Sequence, residues 1–189
     1  MGLVERALCF AAEAHNDVIR KNGVTPYILH PMEVAVIVGS IDPDPELIAA
    51  GLLHDTVEDT PVTAERIEAE FGPRVAALVA AETEDKMRDR PADETWRKRK
   101  EDSLLVLREG GRDVKILWLA DKLSNMRAFL RDYRKKGDAL WQAFNEKDPN
   151  EQAWYYRTVA ALLSELRDTD AWQEYDRLVN EVFEGSDGT

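Results

Sequence analysis

The segment His54-Asp55-Thr56-Val57-Glu58-Asp59 sets one imidazole and three carboxylates within six residues, directly after the apolar run Leu47-Ile48-Ala49-Ala50-Gly51-Leu52-Leu53. Charges placed at the end of a buried segment are costly unless something compensates them. On a helix, Asp55 lies one turn before both Glu58 and Asp59, and His54 one turn before Glu58, so these groups converge. A bound cation is the compensation that this pattern calls for. His30 upstream and Asp121 downstream complete a set of four donors with His54 and Asp55. Nitrogen and oxygen ligands without sulfur suit a divalent transition ion, leaning toward manganese or iron with zinc open. Such an ion lowers the pKa of bound water and polarises a phosphoryl oxygen, which leaves Glu58 and Asp59 to handle protons. Asn125, one turn after Asp121, is placed to orient water or substrate on the same face.

The elements that position these groups read as helices throughout. Apolar residues at helical spacing predict a helix from Leu3 to about Val18, ending near Lys21-Asn22-Gly23. Pro26 and Pro31 bracket Tyr27-Ile28-Leu29-His30, so His30 should stand at the entrance of a helix running through residues 33–38. After the connector Asp42-Pro43-Asp44-Pro45, one strongly apolar helix is expected over 46–59. Thr63 caps a helix over 64–71, Gly72 stops it, and Pro73 begins the next. Residues 82–102 carry dense mixed charge and are expected to be solvent-facing and mobile, with Trp96-Arg97-Lys98-Arg99-Lys100 as a solvated helical face. Gly110-Gly111 breaks the chain before a helix over 114–130 that carries Asp121 and Asn125, and helical stretches follow over 139–144, 151–166 and 171–183. No alternating pattern of strand length occurs. The expected fold is all-α, a single domain over 1–189.

With 189 residues and 44% hydrophobic side chains, the chain has material for a sizeable core. A net charge of -12 argues against nucleic acid or an anionic membrane as partner, because both need a basic face. No apolar run is long enough to cross a bilayer, and Met1-Gly2-Leu3-Val4-Glu5 is unlike a signal peptide, so the expected location is cytoplasmic. The single cysteine, Cys9, allows no intramolecular disulfide and reads as core. His15 reads as a satisfied core histidine, and Trp141, Trp154 and Trp172 as cover for the C-terminal helices.

The six-residue segment, with Thr25-Pro26-Tyr27-Ile28-Leu29-His30-Pro31 before it and Leu119-Ala120-Asp121-Lys122-Leu123-Ser124-Asn125-Met126 after it, resembles the HD-domain phosphohydrolases. More narrowly, it resembles the hydrolase domain of RelA/SpoT alarmone enzymes and their small relatives of the metazoan SpoT-homologue kind. The likeness covers about residues 3–130, with C-terminal helices over 138–184 beyond it, and the length leaves no room for a synthetase domain. The resemblance implies a helical HD bundle and Mn2+-dependent removal of the 3′-pyrophosphate from guanosine tetra- or pentaphosphate, an alarmone of the stringent response. It assigns His30, His54, Asp55 and Asp121 to the metal, and Glu58 and Asp59 to the attacking water. Asn125 is assigned to the nucleotide near the metal, Arg20 and Lys21 to the wall of the nucleotide pocket, and Lys86 to a phosphate. Two positions depart from the family pattern: Trp118 stands where a lysine is frequent, and Ser124 where histidine or an aromatic is preferred. They keep open an adenosine alarmone, NADPH or a 5′-nucleotide as substrate, and a non-catalytic nucleotide sensor is the alternative of another class. The expected partner is a small nucleotide, with no oligomeric state assigned.

Overall fold

A computed structural model describes residues 1–20, 23–87 and 89–183. The chain forms helices α1 (Leu3–Ala14), α2 (Leu29–Ile41), α3 (Pro45–Leu53), α4 (Thr56–Asp59), α5 (Ala64–Phe71), α6 (Pro73–Glu82), α7 (Ala92–Glu109), α8 (Arg112–Lys136), α9 (Pro149–Leu162) and α10 (Asp170–Phe183). Short 3-10 turns span Gly137–Ala143 and Ser164–Leu166. The all-α expectation holds: among the described residues extended pairing is confined to an isolated bridge between Ile19 and Pro26. No helix among them is long and apolar enough to cross a membrane.

Local chemistry sets the helix starts. Asp44 caps α3 by accepting from the Glu46 amide at 2.8 Å, with Pro45 in the first turn, and Asp148 with Pro149 repeats the arrangement at α9. Gly72, at φ +91°, joins α5 to α6 through a backbone conformation that a side chain would strain. The apolar α3 lies at the centre, against α1, α2, α6 and α8, and α8 in turn packs on α2 and α10. Leu47, Ala49, Ala50 and Leu53 of α3 are wholly buried, as are Ile116, Leu117, Leu119 and Ala120 of α8. Each large aliphatic side chain so buried contributes about 1.5–3 kcal/mol relative to exposure. Gly51 faces α2, where a Cβ would lie 3.4 Å from the Ala35 Cα.

Four expectations are corrected. The first helix ends at Ala14 and not near Val18, because Asp17 takes φ +61°, a left-handed conformation that Asp tolerates and a continuing helix does not. Cys9 is exposed, since Ala7, Phe10 and Ala11 face the core and Cys9 falls on the opposite side. The segment over 46–59 is not one helix: it breaks at His54-Asp55, between α3 and α4. There the Thr56 hydroxyl donates to the Leu53 carbonyl at 2.6 Å and His54 Nδ1 lies 2.9 Å from the Gly51 carbonyl, so side chains compete for backbone acceptors of the last α3 turn. Finally, residues 82–102 are not a solvated stretch throughout. Residues 83–87 and 89–91 lie outside the helices, but Trp96 and Arg99 on α7 are each 6% exposed.

Helix α8 extends beyond the expected 114–130 at both ends and stops at Gly137, φ +55°. Trp141 is buried while Trp154 and Trp172 are partly buried against the core, as expected of them.

Candidate active site

The break between α3 and α4 decides the geometry of the site. Because the chain turns at His54 and Asp55, two consecutive side chains reach the same point, where α2 delivers His30 from its first turn and α8 delivers Asp121 from its middle. His30 Nε2 lies 3.0 Å from Asp121 Oδ1 and 3.5 Å from Asp55 Oδ2. His54 Nε2 lies 3.0 Å from Asp55 Oδ2 and 3.7 Å from Asp121 Oδ1. Donors about 2.1 Å from one ion lie roughly 3.0–3.5 Å apart, and among the described residues His30, His54 and Asp121 bring their donor atoms close enough together to share a divalent cation, with Asp55 beside both rings.

The protons of the two rings support the same fit. His54 Nδ1 faces the Gly51 carbonyl, which can only accept, so that nitrogen carries the ring proton. His30 Nδ1 lies 2.8 Å from Ser124 Oγ, whose own proton goes to Glu33 Oε2 at 2.7 Å, so here too Nδ1 donates. In each ring Nε2 is therefore the nitrogen turned toward the carboxylates. His54 Nε2 is buried without an aligned hydrogen bond despite its nearness to Asp55. The electrostatics demand positive charge at this spot. Burial alone would lower the His54 pKa, yet Asp55 and Asp121 raise it well above the ordinary value. Burial likewise disfavours ionised Asp55, but His54 and then His30 hold its carboxyl below the usual range; Lys122 and the imidazoles do the same for Asp121. A divalent ion meets this demand without a proton on either ring.

Ser124 thus has a task that the sequence did not disclose, the orientation of His30. Ser124→Ala should weaken Mn2+ affinity by about 10–100-fold, as measured by titration of the nucleotide-free protein, with the thermal midpoint in the absence of metal little changed.

The proposed water-handling acids stand on α4. Glu58 accepts from the Glu84 amide at 2.9 Å and meets Lys86 Nζ at 2.7 Å; Asp59 meets the same ammonium at 3.0 Å. Burial, and then the Asp55 charge, push the Glu58 pKa upward. Lys86, expected to serve a phosphate, therefore lies on both acids. Its loop is fastened by Glu84, which pairs with Arg99 and with Lys100 at 2.8 Å, and takes the Ser103 hydroxyl at 3.2 Å. Tyr27 Oη donates toward Asp55 Oδ2 at 2.6 Å and Asp59 Oδ2 at 3.2 Å.

Asn125 donates to Asp121 Oδ1 at 2.7 Å and accepts from Arg20 at 3.0 Å, which brings both expected residues to the site; Lys21 lies outside the described residues. Trp118 is buried, donating to the Ala81 carbonyl at 3.2 Å, while Lys122 Nζ lies 4.4 Å from its ring centroid. Lys122 pairs with Asp121 and lies 3.7 Å from Glu82. Burial raises the Glu82 pKa, to about 8, with Lys122 opposing and Asp121 adding to the shift. Sequence reasoning missed Glu82, Lys122, Arg99 and Lys100 because their signal is tertiary. A buried charge looks the same in sequence as a solvated one. His15 is buried as expected, but neither ring nitrogen has a hydrogen-bond partner among the described residues, and burial lowers its pKa.

These groups line a cavity of about 580 Å³ that continues past Arg131 and Lys135 to Phe144, Gln152 and Tyr156. Its size suits a nucleotide.

The chain is similar over much of its length to proteins of known name. It is 37% identical over 166 residues to the guanosine-3′,5′-bis(diphosphate) 3′-pyrophosphohydrolase MESH1 of Danio rerio, covering 86% of this chain and 83% of that one. It is 40% identical over 139 residues to the enzyme named guanosine-3′,5′-bis(diphosphate) 3′-pyrophosphohydrolase in Aquifex aeolicus, covering 70% of this chain. It spans only 19% of that relative's length, and 9% to 16% of comparable long relatives from plants and Synechocystis. Among solved structures, a metazoan orthologue of SpoT that hydrolyses ppGpp superposes with a TM-score of 0.75 at 25% identity, over 96% of both chains. A family model described as HD domain matches residues 7–149. With its two histidines and two aspartates gathered at the break between α3 and α4, the chain belongs to the HD domain family.

Proposed function

We propose that this protein is a metal-dependent phosphohydrolase that removes the 3′-pyrophosphate from guanosine 3′,5′-bis(diphosphate), with Mn2+ held by His30, His54, Asp55 and Asp121. The observation that carries this reading is the pair of buried imidazole Nε2 atoms facing the buried Asp121 carboxylate and the half-buried Asp55 carboxylate at one end of a nucleotide-sized cavity. The names of the Danio and Aquifex relatives and the activity of the solved metazoan orthologue support the choice of substrate. Mn2+ would supply Lewis acidity toward a phosphoryl oxygen and a lowered pKa for water.

The protein's own groups divide the remaining work. Glu58 and Asp59 position the attacking water and take its proton, the raised pKa making Glu58 a stronger base than an ordinary carboxylate. Asn125, fixed from both sides by Asp121 and Arg20, holds the nucleotide edge close to the centre. Arg20, Lys86 and Lys122 provide the local positive charge that an anionic substrate needs on a chain of net charge -12. Lys21, by sequence the neighbour of Arg20, belongs to the same proposal.

The test is a panel of ppGpp, an adenosine alarmone, NADPH and a 5′-nucleotide, with Mn2+-loaded protein and separate readouts for phosphate and pyrophosphate. Pyrophosphate release from ppGpp with the highest kcat/KM is expected. A higher value for another substrate would overturn the choice of substrate, and binding without turnover of any would overturn the enzyme reading.

A further inference from the structure

Tyr27 sits between the two halves of the site and belongs to neither. Its backbone is fixed before the helix that carries His30: the Tyr27 amide donates to the Val18 carbonyl at 2.9 Å, Ile19 bridges to Pro26, and the His30 amide donates back to the Tyr27 carbonyl at 2.9 Å. Its ring packs against the His15 ring, 4.8 Å away, the His30 ring, 5.9 Å away, and the Arg20 guanidinium, 5.7 Å from the centroid. A ring so placed has little freedom to turn. Its hydroxyl is delivered to a fixed point.

At that point stand Asp55 Oδ2 at 2.6 Å and Asp59 Oδ2 at 3.2 Å. A phenol has one proton, so two acceptors share it. Asp55 Oδ2 is the oxygen nearest His54 Nε2, at 3.0 Å, and lies 3.5 Å from His30 Nε2, whereas Asp59 is otherwise held by Lys86, which arrives on the segment that follows α6. A lysine ammonium is a mobile point charge on a long stem and fixes no direction. The phenol is rigid and directional, and it touches the carboxylate of each half.

We propose that Tyr27 is a positioning residue whose hydroxyl ties the metal-holding carboxylate of Asp55 to the water-handling carboxylate of Asp59, fixing the distance and orientation between them. The inference rests on the reading of Asp59 as a group that acts on the attacking water. Through Asp55 the hydroxyl orients a ligand; through Asp59 it holds the acid in register with that ligand whether or not Lys86 is engaged by substrate.

Tyr27→Phe deletes one oxygen and keeps the ring packing against His15 and Arg20, so the fold should be retained. Two measurements read the two ends of the tie. Titration of nucleotide-free protein with Mn2+ should show affinity weakened by about 10–100-fold, the usual cost of losing a partner that orients a ligand. At saturating Mn2+, kcat for pyrophosphate release from ppGpp should fall by at least about tenfold with KM changed less than threefold, because orientation of an acid acts on the transition state more than on substrate binding. A purely structural tyrosine would lower the thermal midpoint and leave this split absent. Mn2+ affinity within twofold of the parent, or kcat within twofold at saturating metal, overturns the proposal. Failure of the substrate assignment is separate: the parent would then release no pyrophosphate from ppGpp, while the Mn2+ titration would still report on Tyr27.

Discussion

Alanine at Asp55 is expected to abolish Mn2+ binding and to cut turnover by at least about a thousandfold while leaving the helical fold intact. The size follows from what the ion supplies, several kcal/mol of charge stabilisation at the reacting phosphoryl group, with about 1.4 kcal/mol per factor of ten. The fold should survive because α3 and α8 are held together by wholly buried apolar side chains. Removing Asp55 relieves its repulsion of Glu58 and Glu82 and forfeits the attraction that His54 and His30 exert on its carboxylate. A thermal melt separates these effects. The parent should gain stability with added Mn2+, about 2.7 kcal/mol at a hundredfold excess over Kd, and the variant should gain none. Full metal content and full rate in Asp55→Ala would refute the assignment of this residue.

Glu58→Gln should behave in the opposite way, with Mn2+ affinity kept within a fewfold and kcat reduced by about 10²–10⁴, the usual contribution of a positioned acid or base. Glutamine keeps an oxygen for the Glu84 amide, so the segment that follows α6 retains that anchor, and Glu84 remains fastened to Arg99 and Lys100. What glutamine cannot do is take a proton from water. The pair of variants therefore divides the site experimentally: loss of metal in one, and loss of turnover with metal in place in the other. Equal loss of metal in Glu58→Gln would show that Glu58 belongs to the ion and not to the water.

Much of this site was legible because its residues are chemically conspicuous in one dimension. His54, Asp55, Glu58 and Asp59 crowd six positions after an apolar run, and the all-α fold follows from spacing that alternates nowhere as strands do. The break at His54-Asp55 was not legible, since it depends on the Thr56 hydroxyl and the His54 ring capturing carbonyls that a regular helix would use. Cys9 went astray because several small residues surround it, and the face that turns inward is chosen by α3 and not by α1's own composition. The run Trp96-Arg97-Lys98-Arg99-Lys100 looked solvated for a similar reason. Its Arg99 is buried against Glu84, a partner 15 positions earlier, and nothing in the local pattern announces that pairing. Trp118 shows the converse. Its departure from the family pattern left open a stacked base or a core filler, and the indole is buried and anchored to the Ala81 carbonyl, with Lys122 as the nearby cation.

The hydrogen bond that orients His30 does not end at Ser124. Ser124 donates to Glu33, Glu33 accepts from Arg127 at 3.0 Å, and Arg127 grips both carboxylate oxygens of Glu174 on α10 at 2.8 and 2.6 Å. The chain emerges from the ribosome in order, and every candidate ligand of the ion has been made by residue 121. The last clamp on this relay comes only with residue 174. A nascent chain can thus carry a complete donor set before His30 is fully held, and the relay closes only once α10 has been made and docks on α8.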